Sequence, residues 1–525
     1  MPDLRFPISF LRFSPGGLGN IGALTNLYCM KKLYSLTLLF VAVTAGAQMQ
    51  APDTVTVRWD QTQMVSKTTL TLQVVVNPPL RRGTAMHDSI FSALNALGCD
   101  YVRYVPWLPY PRLGVAELQP PTHEKTSWDF SVIDPMTLDF LNATKGHSVI
   151  LNFSTIPTWM YKTDQPVTYP DDPYAVFWNY TQGNVPRDTT YNEIANYYAR
   201  LYSWYAKGGF TDELGKRHES GYHYDVPYWE VLNEVDFEHG NTPQSYTRLY
   251  DAVTGAIKKE SPDTRFVGMA LASPDRPEWF EYFLDPRHHK NGTPLDMISY
   301  HFYAGGSTEQ GADVMQYTFW DQAEGFLKAV KFIESIRKRL SPTTKTTIDE
   351  LGSILENDND VPDRKTPIPD SYWSLSGALY ANTYLALAHM GIDVVGESQL
   401  VGYPTQYPSV SMIDWKTGQP NGRYWVLKLL KDNFGPGDKF VNSGLAGNDP
   451  DAGAITLQAV TTSTGNKLLL INKRNKTVRL VMPTDFRGKK MSNVDPSTGD
   501  RKPAESTVTE SAIELKPFAV AVVGG

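Results

Sequence analysis

Two neighbouring stretches, PYWEVLNE (227–234) and SYTRLYDAVTGAIKKES (245–261), indicate how this chain folds. The first is short and rich in β-branched and aromatic residues until it ends abruptly in Asn233 and Glu234, which predicts a buried strand that stops at a polar loop. The second carries apolar residues at helical spacing and predicts an amphipathic helix. A strand followed by a helix is the repeating unit of a parallel sheet covered by helices.

The same unit occurs eight times between residues 65 and 437. The predicted strands are TLTLQVVV (69–76), DYVRYVPW (100–107), HSVILNFS (147–154), PYWEVLNE (227–234), TRFVGMALA (264–272), LDMISYHFYA (295–304), KTTIDELGS (345–353) and IDVVGESQL (392–400). The predicted helices lie within 87–98, 135–146, 191–209, 245–261, 278–284, 323–340, 371–391 and 422–435. Eight strands and eight helices predict an α/β protein built on a (β/α)8 TIM barrel, residues 65–437.

Short alternating runs replace the helical periodicity after residue 437. They include AITLQAVTT (454–462) and AIELKPFAVAVV (512–523), and they predict an accessory C-terminal antiparallel β-sandwich, residues 438–525. The run DTVTVRWD (53–60) precedes the barrel, and we expect it to add a strand to the same domain.

The N-terminal sequence has the pattern of an export signal. A Lys-Lys pair precedes an apolar stretch that closes on Ala-Gly-Ala, which is typical of a signal peptide cut before Gln48. We expect residues 30–47 to be this signal and residues 1–29 to lie upstream of the native start codon. The mature protein is then expected to be secreted or periplasmic in a bacterium, without a membrane anchor.

Composition narrows the range of partners. The 525 residues are 41% hydrophobic and carry a net charge of −7 with no long basic block, which argues against binding to nucleic acid or an anionic membrane. Aromatic residues make up 12%, and their flat faces suit sugar rings, although core packing is an equally ordinary use. Of the two cysteines, Cys29 falls in the upstream segment, so we expect no internal disulfide from Cys99. A carbohydrate partner is predicted, and the oligomeric state stays open.

Two carboxylates follow directly on apolar strands. Glu234 closes the fourth predicted strand, and Glu350, after Asp349, closes the seventh. The carboxyl ends of all barrel strands form one rim, so the two glutamates are expected to face each other across the barrel mouth. A facing pair of carboxyl groups carries glycoside hydrolysis, in which one protonates the leaving oxygen and the other attacks or activates water. Their environments must differ, so that one is protonated while the other is ionised.

These strand endings, Asn-Glu and Glu inside an eightfold barrel, resemble clan A of the retaining glycoside hydrolases. NEVDFEHG (233–240) and the helix after it are similar to the acid/base segment of family 39, which contains β-xylosidases and α-L-iduronidases and pairs its barrel with a β-sandwich. IDELGS (348–353) resembles the nucleophile strand of the iduronidase branch. The resemblance implies that Glu234 is the general acid/base, Glu350 the nucleophile and Asn233 a ligand of the sugar 2-hydroxyl.

Two departures from the family pattern leave the sugar open. Family members carry Arg-x-His at the end of strand two, where this chain keeps Arg103 but has Val105 in place of the histidine. Val235 follows the acid/base where proline is usual. The resemblance places Arg103 beside the nucleophile, where its charge would keep Glu350 ionised. The glycosidase is therefore expected to be β-xylosidase-like or uronidase-like, without a decision between the two.

Other residues near the same rim are candidates for binding substrate. His301 and Tyr303 close strand six, where clan members place a residue against the nucleophile, although a lone barrel histidine is often structural. Glu397 closes strand eight and is a candidate substrate contact. Three tryptophans are candidates for stacking on a sugar, with packing as the equal alternative: Trp107, Trp159 and Trp373.

No metal site and no cofactor are predicted. His288 and His289 have no third ligand at a useful spacing and are expected in a solvated loop. Asp358, Asp360 and Asp363 resemble a calcium loop only in their acidity, because they lack the glycine and terminal glutamate of the EF-hand pattern.

These observations predict an exported retaining O-glycoside hydrolase that cleaves a poly- or oligosaccharide by double displacement. Two alternatives stay open: a carbohydrate-binding barrel without catalysis, against which the intact glutamate pair argues, and a transglycosylase that uses the same pair. The sequence does not decide between cleavage at chain ends and cleavage within chains.

Overall fold

The structure is a computed structural model that describes residues 53–178, 183, 185–307, 309–356, 368–404, 406–447 and 452–524. The predicted upstream segment and signal peptide (1–47) and the acidic positions Asp358, Asp360 and Asp363 lie outside these residues, so the expectations for them stay predictions. Within the described ranges, no helix combines the length and the apolar character needed to cross a bilayer.

The described residues form two large sheets, one small hairpin and eight α-helices. The strands are β1 (Asp53–Val65), β2 (Thr69–Val75), β3 (Val102–Val105), β4 (Val149–Leu151), β5 (Gly209–Thr211), β6 (Arg217–Glu219), β7 (Tyr228–Glu230), β8 (Arg265–Leu271), β9 (Met297–Tyr300), β10 (Phe302–Ser307), β11 (Lys345–Glu356), β12 (Val394–Glu397), β13 (Lys439–Ala446), β14 (Ile455–Thr462), β15 (Gly465–Asn472), β16 (Val478–Val481), β17 (Lys490–Val494), β18 (Ala504–Thr507), β19 (Ala512–Leu515) and β20 (Val520–Gly524). The helices are α1 (His87–Leu97), α2 (Asp134–Ala143), α3 (Asn192–Ala206), α4 (Pro243–Glu260), α5 (Pro277–Phe283), α6 (Ala312–Leu340), α7 (Asp370–Met390) and α8 (Gly422–Asn433).

Eight strands close into a parallel barrel. They pair in the order β2, β3, β4, β7, β8, β9, β11 and β12, and β12 returns to β2 with Val394 opposite Thr69. All residues of β3, β4, β7 and β9 are buried, as expected when helices cover the outside of the barrel and side chains fill its interior. The predicted (β/α)8 TIM barrel is confirmed.

The two candidate glutamates do not end their strands, contrary to the prediction from sequence. β7 stops at Glu230, because Leu232 and Glu234 adopt left-handed backbone conformations, with φ of 67° and 40°, that cannot continue an extended ladder. β11 continues past Glu350 to Glu356, because β10 pairs with it beyond the closed part of the barrel. The candidate acid therefore lies in a turn, and the candidate nucleophile lies within a long strand.

The turn after β7 is followed by a helix with a well-defined start. The Thr242 hydroxyl accepts a hydrogen bond from the backbone N–H of Ser245, and the Ser245 hydroxyl accepts one from the backbone N–H of Thr242. Pro243 occupies the first helical position, where its missing N–H costs nothing. The turn that carries Glu234 is thus held between a buried strand and a capped helix.

The second sheet forms the accessory β domain. Its strand order is β18, β17, β20, β15, β14, β13, β1, β16 and β19, and β1 pairs antiparallel with β13 and parallel with β16. Alternate residues of β15 face two cores: Leu468 and Leu470 pack within the domain, whereas Leu469 and Ile471 join the barrel core. Residues of β16 and β19, far from β15 in the sheet order, share the inner core, so the sheet folds over into two layers.

Candidate active site

The carboxyl-terminal side of the barrel brings most of the candidate residues together. The turn after β7, the break between β9 and β10, and the middle of β11 all converge on the buried end of β3. The residues in direct contact in this cluster are Arg103, Asn233, Glu234, His301, Tyr303 and Glu350.

The two glutamates approach each other around one histidine. One carboxylate oxygen of Glu234 and one of Glu350 lie within 4.8 Å of each other. The Nδ1 atom of His301 lies 3.0 Å from Oε1 of Glu234 and 3.5 Å from Oε2 of Glu350. The oxygen separation is short of the roughly 6.5–9.5 Å between the carboxyl groups of inverting glycosidases, and closer to the about 5–5.5 Å of retaining ones.

The backbone around Glu234 is shaped by the turn that carries it. Its carbonyl oxygen accepts hydrogen bonds from the N–H groups of Phe237 (2.8 Å) and Glu238 (2.7 Å), which makes a single helical turn directly after the left-handed residue. Left-handed backbone at a non-glycine residue costs on the order of 1–3 kcal/mol, and such residues are concentrated at functional sites. A side chain that only terminated a strand would not need this conformation.

Glu350 is surrounded by hydrogen-bond donors. Arg103 Nη1 donates to Oε1 over 2.5 Å, and the Tyr303 hydroxyl donates to Oε2 over 2.7 Å. Burial by itself would raise the pKa of the Glu350 carboxyl, but the charges of His301 and Arg103 and the hydrogen bond from Tyr303 outweigh it and lower the pKa below the usual range. Glu350 is therefore held as a carboxylate.

Glu234 has the opposite shift. Burial raises the pKa of its carboxyl, and the contact with His301 offsets only part of that rise. Burial also works against protonation of His301, but the charges of Glu350 and Glu234 raise the pKa of the imidazole to about 9. At neutral pH His301 is therefore a cation whose Nδ1–H donates to Glu234. One glutamate favours the protonated state and the other the ionised state.

A polar layer beneath the glutamates orients Arg103, and sequence reasoning did not find it. The guanidinium, fully buried, donates to Glu230 (2.5 Å), Gln73 (2.7 Å) and Asn233 (2.6 Å) as well as to Glu350. A signal existed, because Gln73 and Glu230 are an amide and a carboxylate between apolar neighbours within the predicted strands TLTLQVVV and PYWEVLNE. Such positions are occupied by polar groups only when a partner satisfies them.

Glu238 is a third buried carboxyl group beside the pair, and it was not assigned from sequence. Its Oε1 accepts hydrogen bonds from Asn233 Nδ2 (2.9 Å) and from the indole nitrogen of Trp107 (2.5 Å). Burial raises the pKa of Glu238 well above its usual range, and the nearby charge of Glu234 adds to the rise. The sequence signal was only its spacing, one helical turn after Glu234.

The three candidate tryptophans have different positions. Trp107 lies at the site, where its ring packs edge-on against Trp178 (5.5 Å between centroids), and Trp178 in turn packs against Tyr407 (6.0 Å). These three rings come from the loops after β3, β4 and β12 and form an aromatic wall that the sequence indicated only at Trp107. Aromatic faces of this kind suit sugar rings.

Trp159 and Trp373 are not brought to the glutamates. The Trp159 indole donates to the Glu117 carbonyl (2.8 Å) and the guanidinium of Arg187 lies 4.5 Å over its ring, so it is a packed loop residue. Trp373 lies in the first turn of α7, where its ring packs edge-on against Tyr372 (5.2 Å between centroids) and is partly buried against the barrel core. These contacts favour the packing alternative for both rings, and their stacking on substrate stays a prediction.

Glu397 and the histidine pair also differ from expectation. Glu397 is fully buried beneath the rim, where Arg423 Nε donates to Oε1 (2.7 Å), so it is not a solvated substrate contact. Burial raises its pKa to about 7, against the influence of Arg423. His288 is exposed as expected, but the His289 ring is buried and hydrogen-bonds Asp251 (2.6 Å) and is therefore structural rather than solvated.

The atoms of the glutamate cluster are also close enough together to coordinate a metal ion. Among the described residues, Glu234, His301 and Glu350 offer ligand atoms that all lie within 4.8 Å of one another. A metal ligand must be a neutral imidazole, whereas the two glutamates raise the pKa of His301 to about 9 and direct its Nδ1–H to Glu234. The donor set fits an ion-paired acid–base cluster better than a metal site.

No family model matches the chain, and no curated protein matches it. Solved structures do match. The family 51 arabinofuranosidase from Xanthomonas axonopodis pv. citri aligns at 12% identity and a TM-score of 0.61, and the α-L-arabinofuranosidase from Thermotoga maritima at 14% and 0.57; each alignment covers 90% of this chain and 99% of the other. A family 30 endoxylanase from Clostridium papyrosolvens aligns at 15% identity, with a TM-score of 0.50 and the same two coverages.

The chain shares the fold of these glycosidases. At 11–15% identity this likeness concerns the arrangement of barrel and β domain, over almost the full length of the matched chains. The named matches belong to families 51 and 30, so the resemblance to family 39 stays a prediction from sequence.

Proposed function

We propose that this protein is an exported retaining O-glycoside hydrolase in which Glu234 is the general acid/base and Glu350 the nucleophile. The observation that carries the proposal is the pair itself: two carboxyl groups with oxygens within 4.8 Å, one with a raised and one with a lowered pKa. When the environments of two carboxyl groups shift their pKa values in opposite directions, the group with the raised pKa is the acid and the group with the lowered pKa is the nucleophile.

The reaction proceeds by two displacements. In the first, Glu350 attacks the anomeric carbon while Glu234 transfers its proton to the glycosidic oxygen, so the leaving group departs as an alcohol and a glycosyl ester forms on Glu350. In the second, the Glu234 carboxylate takes a proton from water as the water attacks the same carbon. The ester bond breaks, Glu350 is released as a carboxylate, and the sugar leaves with its original anomeric configuration.

The residues around the pair have defined parts in this mechanism. Tyr303 and Arg103 each donate to one oxygen of Glu350 and thereby fix the orientation of the nucleophile. His301, protonated and between the two glutamates, keeps Glu350 ionised. It takes no direct part in the proton transfers. Asn233 is the expected ligand of the sugar 2-hydroxyl.

A neutral sugar fits this site better than a uronate. The cations that contact the glutamates, Arg103 and His301, are already paired with carboxylates of the protein, so in the described part of the site neither is left for a substrate carboxylate. The structural neighbours named above are arabinofuranosidases and a xylanase. We therefore propose an α-L-arabinofuranoside or a β-xyloside as the substrate class, ahead of a uronide.

A screen of aryl glycosides tests the proposal. The panel comprises α-L-arabinofuranoside, β-xyloside, β-glucoside, β-galactoside, β-glucuronide and α-L-iduronide, with proton NMR to follow the anomer released first. We expect the wild-type enzyme to hydrolyse one member of the panel with retention of configuration. Glu350→Ala should lose this activity. Binding of oligosaccharides without cleavage of any member would instead indicate a carbohydrate-binding barrel, and products longer than the substrate would indicate a transglycosylase.

A further inference from the structure

Glu238 connects two of the candidate substrate-binding residues. Its Oε1 atom accepts the Asn233 amide N–H over 2.9 Å and the Trp107 indole N–H over 2.5 Å, and its side chain is 4% exposed. One buried oxygen thus joins the turn after β7 to the loop after β3. The proposed mechanism makes no use of this carboxyl group.

The Asn233 amide has one orientation that satisfies both of its neighbours. Arg103 can only donate, so the atom that faces its Nη2 at 2.6 Å must be the carbonyl oxygen of Asn233. The amide nitrogen then faces Glu238, which accepts one of its two hydrogens. Among the described residues no acceptor is found for the second hydrogen, which is available to a bound molecule.

We propose that Glu238 is a positioning residue that fixes the Asn233 amide and the Trp107 ring, so that the free Asn233 N–H meets the sugar 2-hydroxyl. This inference rests on the proposed hydrolase function, because the site is the same. Without an acceptor at position 238, the amide loses one of its two anchors and the indole loses its hydrogen bond. Substrate would then meet an amide that is no longer held in the donating orientation.

The surroundings of Glu238 fit this role. Its second oxygen, Oε2, is buried without a hydrogen-bond partner in the described part of the chain, and His239 Nε2 lies 3.6 Å from it. Burial and the neighbouring Glu234 raise the pKa of Glu238 well above its usual range, which favours a proton on Oε2. Oε1 then accepts both N–H groups while no negative charge is placed beside the acid/base.

The test compares two substrates: the aryl glycoside that the wild-type enzyme hydrolyses fastest and its 2-deoxy counterpart. We define the 2-hydroxyl preference as kcat/KM for the glycoside divided by kcat/KM for its 2-deoxy counterpart. In Glu238→Ala this ratio is expected to fall by about tenfold, the effect of one hydrogen bond to the transition state. Glu238→Gln retains a carbonyl oxygen for both N–H groups and should keep the ratio within about threefold. In Glu238→Asp, which withdraws the carboxylate by one methylene, the ratio should fall as it does in Glu238→Ala. This variant replaces Glu238→Ala if the latter does not fold.

Two further variants separate positioning from general damage. Asp236→Ala removes a group in the same turn that accepts the Ala272 N–H over 3.0 Å but contacts neither Asn233 nor Trp107. It should change both substrates by the same factor. In Asn233→Ala the preference for the 2-hydroxyl is already lost, so adding Glu238→Ala should lower it no further, since the two changes act through one contact.

The possible results test the positioning role of Glu238 and the hydrolase function separately. An equal loss on both substrates in Glu238→Ala, or additive effects of the Asn233 and Glu238 changes, overturns the positioning role and leaves the hydrolase function intact. Failure of the wild-type enzyme to hydrolyse any aryl glycoside refutes the proposed function, and this inference with it.

Discussion

Nη1 of Arg103 donates to Oε1 of Glu350 over 2.5 Å, and neither side chain is more than 9% exposed. This buried pair makes the two glutamates of the site unequal, because the guanidinium stabilises the ionised form of Glu350 and makes no hydrogen bond to Glu234. Burial raises the pKa of Glu234, whereas charges and hydrogen bonds lower the pKa of Glu350.

Azide rescue should separate the two roles. Glu234→Ala removes the proton donor, but an aryl glycoside with a good leaving group should still form the glycosyl–enzyme, which azide then converts to a glycosyl azide of the substrate's configuration. In Glu350→Ala azide replaces the nucleophile and should give the opposite anomer. Proton NMR distinguishes the products, and the same anomer from both variants would refute the assignment.

The pH dependence of kcat/KM should be bell-shaped. Glu350 must be ionised, so activity falls as the pH drops through its lowered pKa, and Glu234 must be protonated, so activity falls as the pH rises through its raised pKa. Glu234→Gln, assayed with a leaving group that needs no protonation, should lose the alkaline limb and keep the acidic one. A profile of Glu234→Gln that matches the wild type would contradict the role of Glu234.

Removing the Tyr303 hydroxyl should weaken the nucleophile. Tyr303→Phe deletes the 2.7 Å hydrogen bond to Glu350, so we expect kcat/KM to fall roughly tenfold and the acidic limb to move to higher pH. Tyr300→Phe is the matched control, since the Tyr300 ring packs against Phe280 and Phe326 of the outer helices and its buried hydroxyl has no hydrogen-bond partner among the described residues. Equal effects of the two changes would count against the contact.

Replacing Arg103 should destabilise the fold as well as the site. Arg103→Met leaves Glu230 buried without its cation and Glu350 with His301 alone, at a cost of about 3–5 kcal/mol in the free energy of unfolding. The folded pKa of Glu350 is lowered, so its ion pair contributes stability above the unfolded pKa and loses it as the pH falls through the folded value. The difference between variant and wild type should therefore shrink below about pH 4.

Urea unfolding at a series of pH values measures this difference. Arg339→Met is the control, because Arg339 and its partner Glu281 are both half exposed and such pairs contribute about 1 kcal/mol or less. A pH-independent loss in Arg103→Met would show that packing, and not charge, holds Arg103 in place.

The expected export signal predicts where the mature chain begins. The Lys-Lys, apolar and Ala-Gly-Ala pattern places cleavage before Gln48, so material secreted by a bacterial host should begin near that residue. N-terminal sequencing checks it. Secreted protein that retained Met1 would contradict both the signal peptide and the proposed start.

The sequence alone determined the barrel and the two glutamates that face each other. Strand and helix periodicity depend on neighbours within about one turn or one pleat, so PYWEVLNE and the helix after it carry that information locally. Because all eight strands run parallel, a carboxylate near the end of one strand must lie on the same rim as a carboxylate near the end of another.

Tertiary structure alone decided how each side chain is used. Glu397 ends β12 and Trp159 follows β4, much as the residues of the site end or follow their strands, but Glu397 pairs with Arg423 and the Trp159 ring packs under Arg187. Glu230 is paired with Arg103 of β3, and Glu238 accepts a hydrogen bond from Trp107 in the loop after β3, far away in the sequence. Such contacts depend on side-chain direction and on distances that exist only once the barrel has closed, and no local pattern of residues records them.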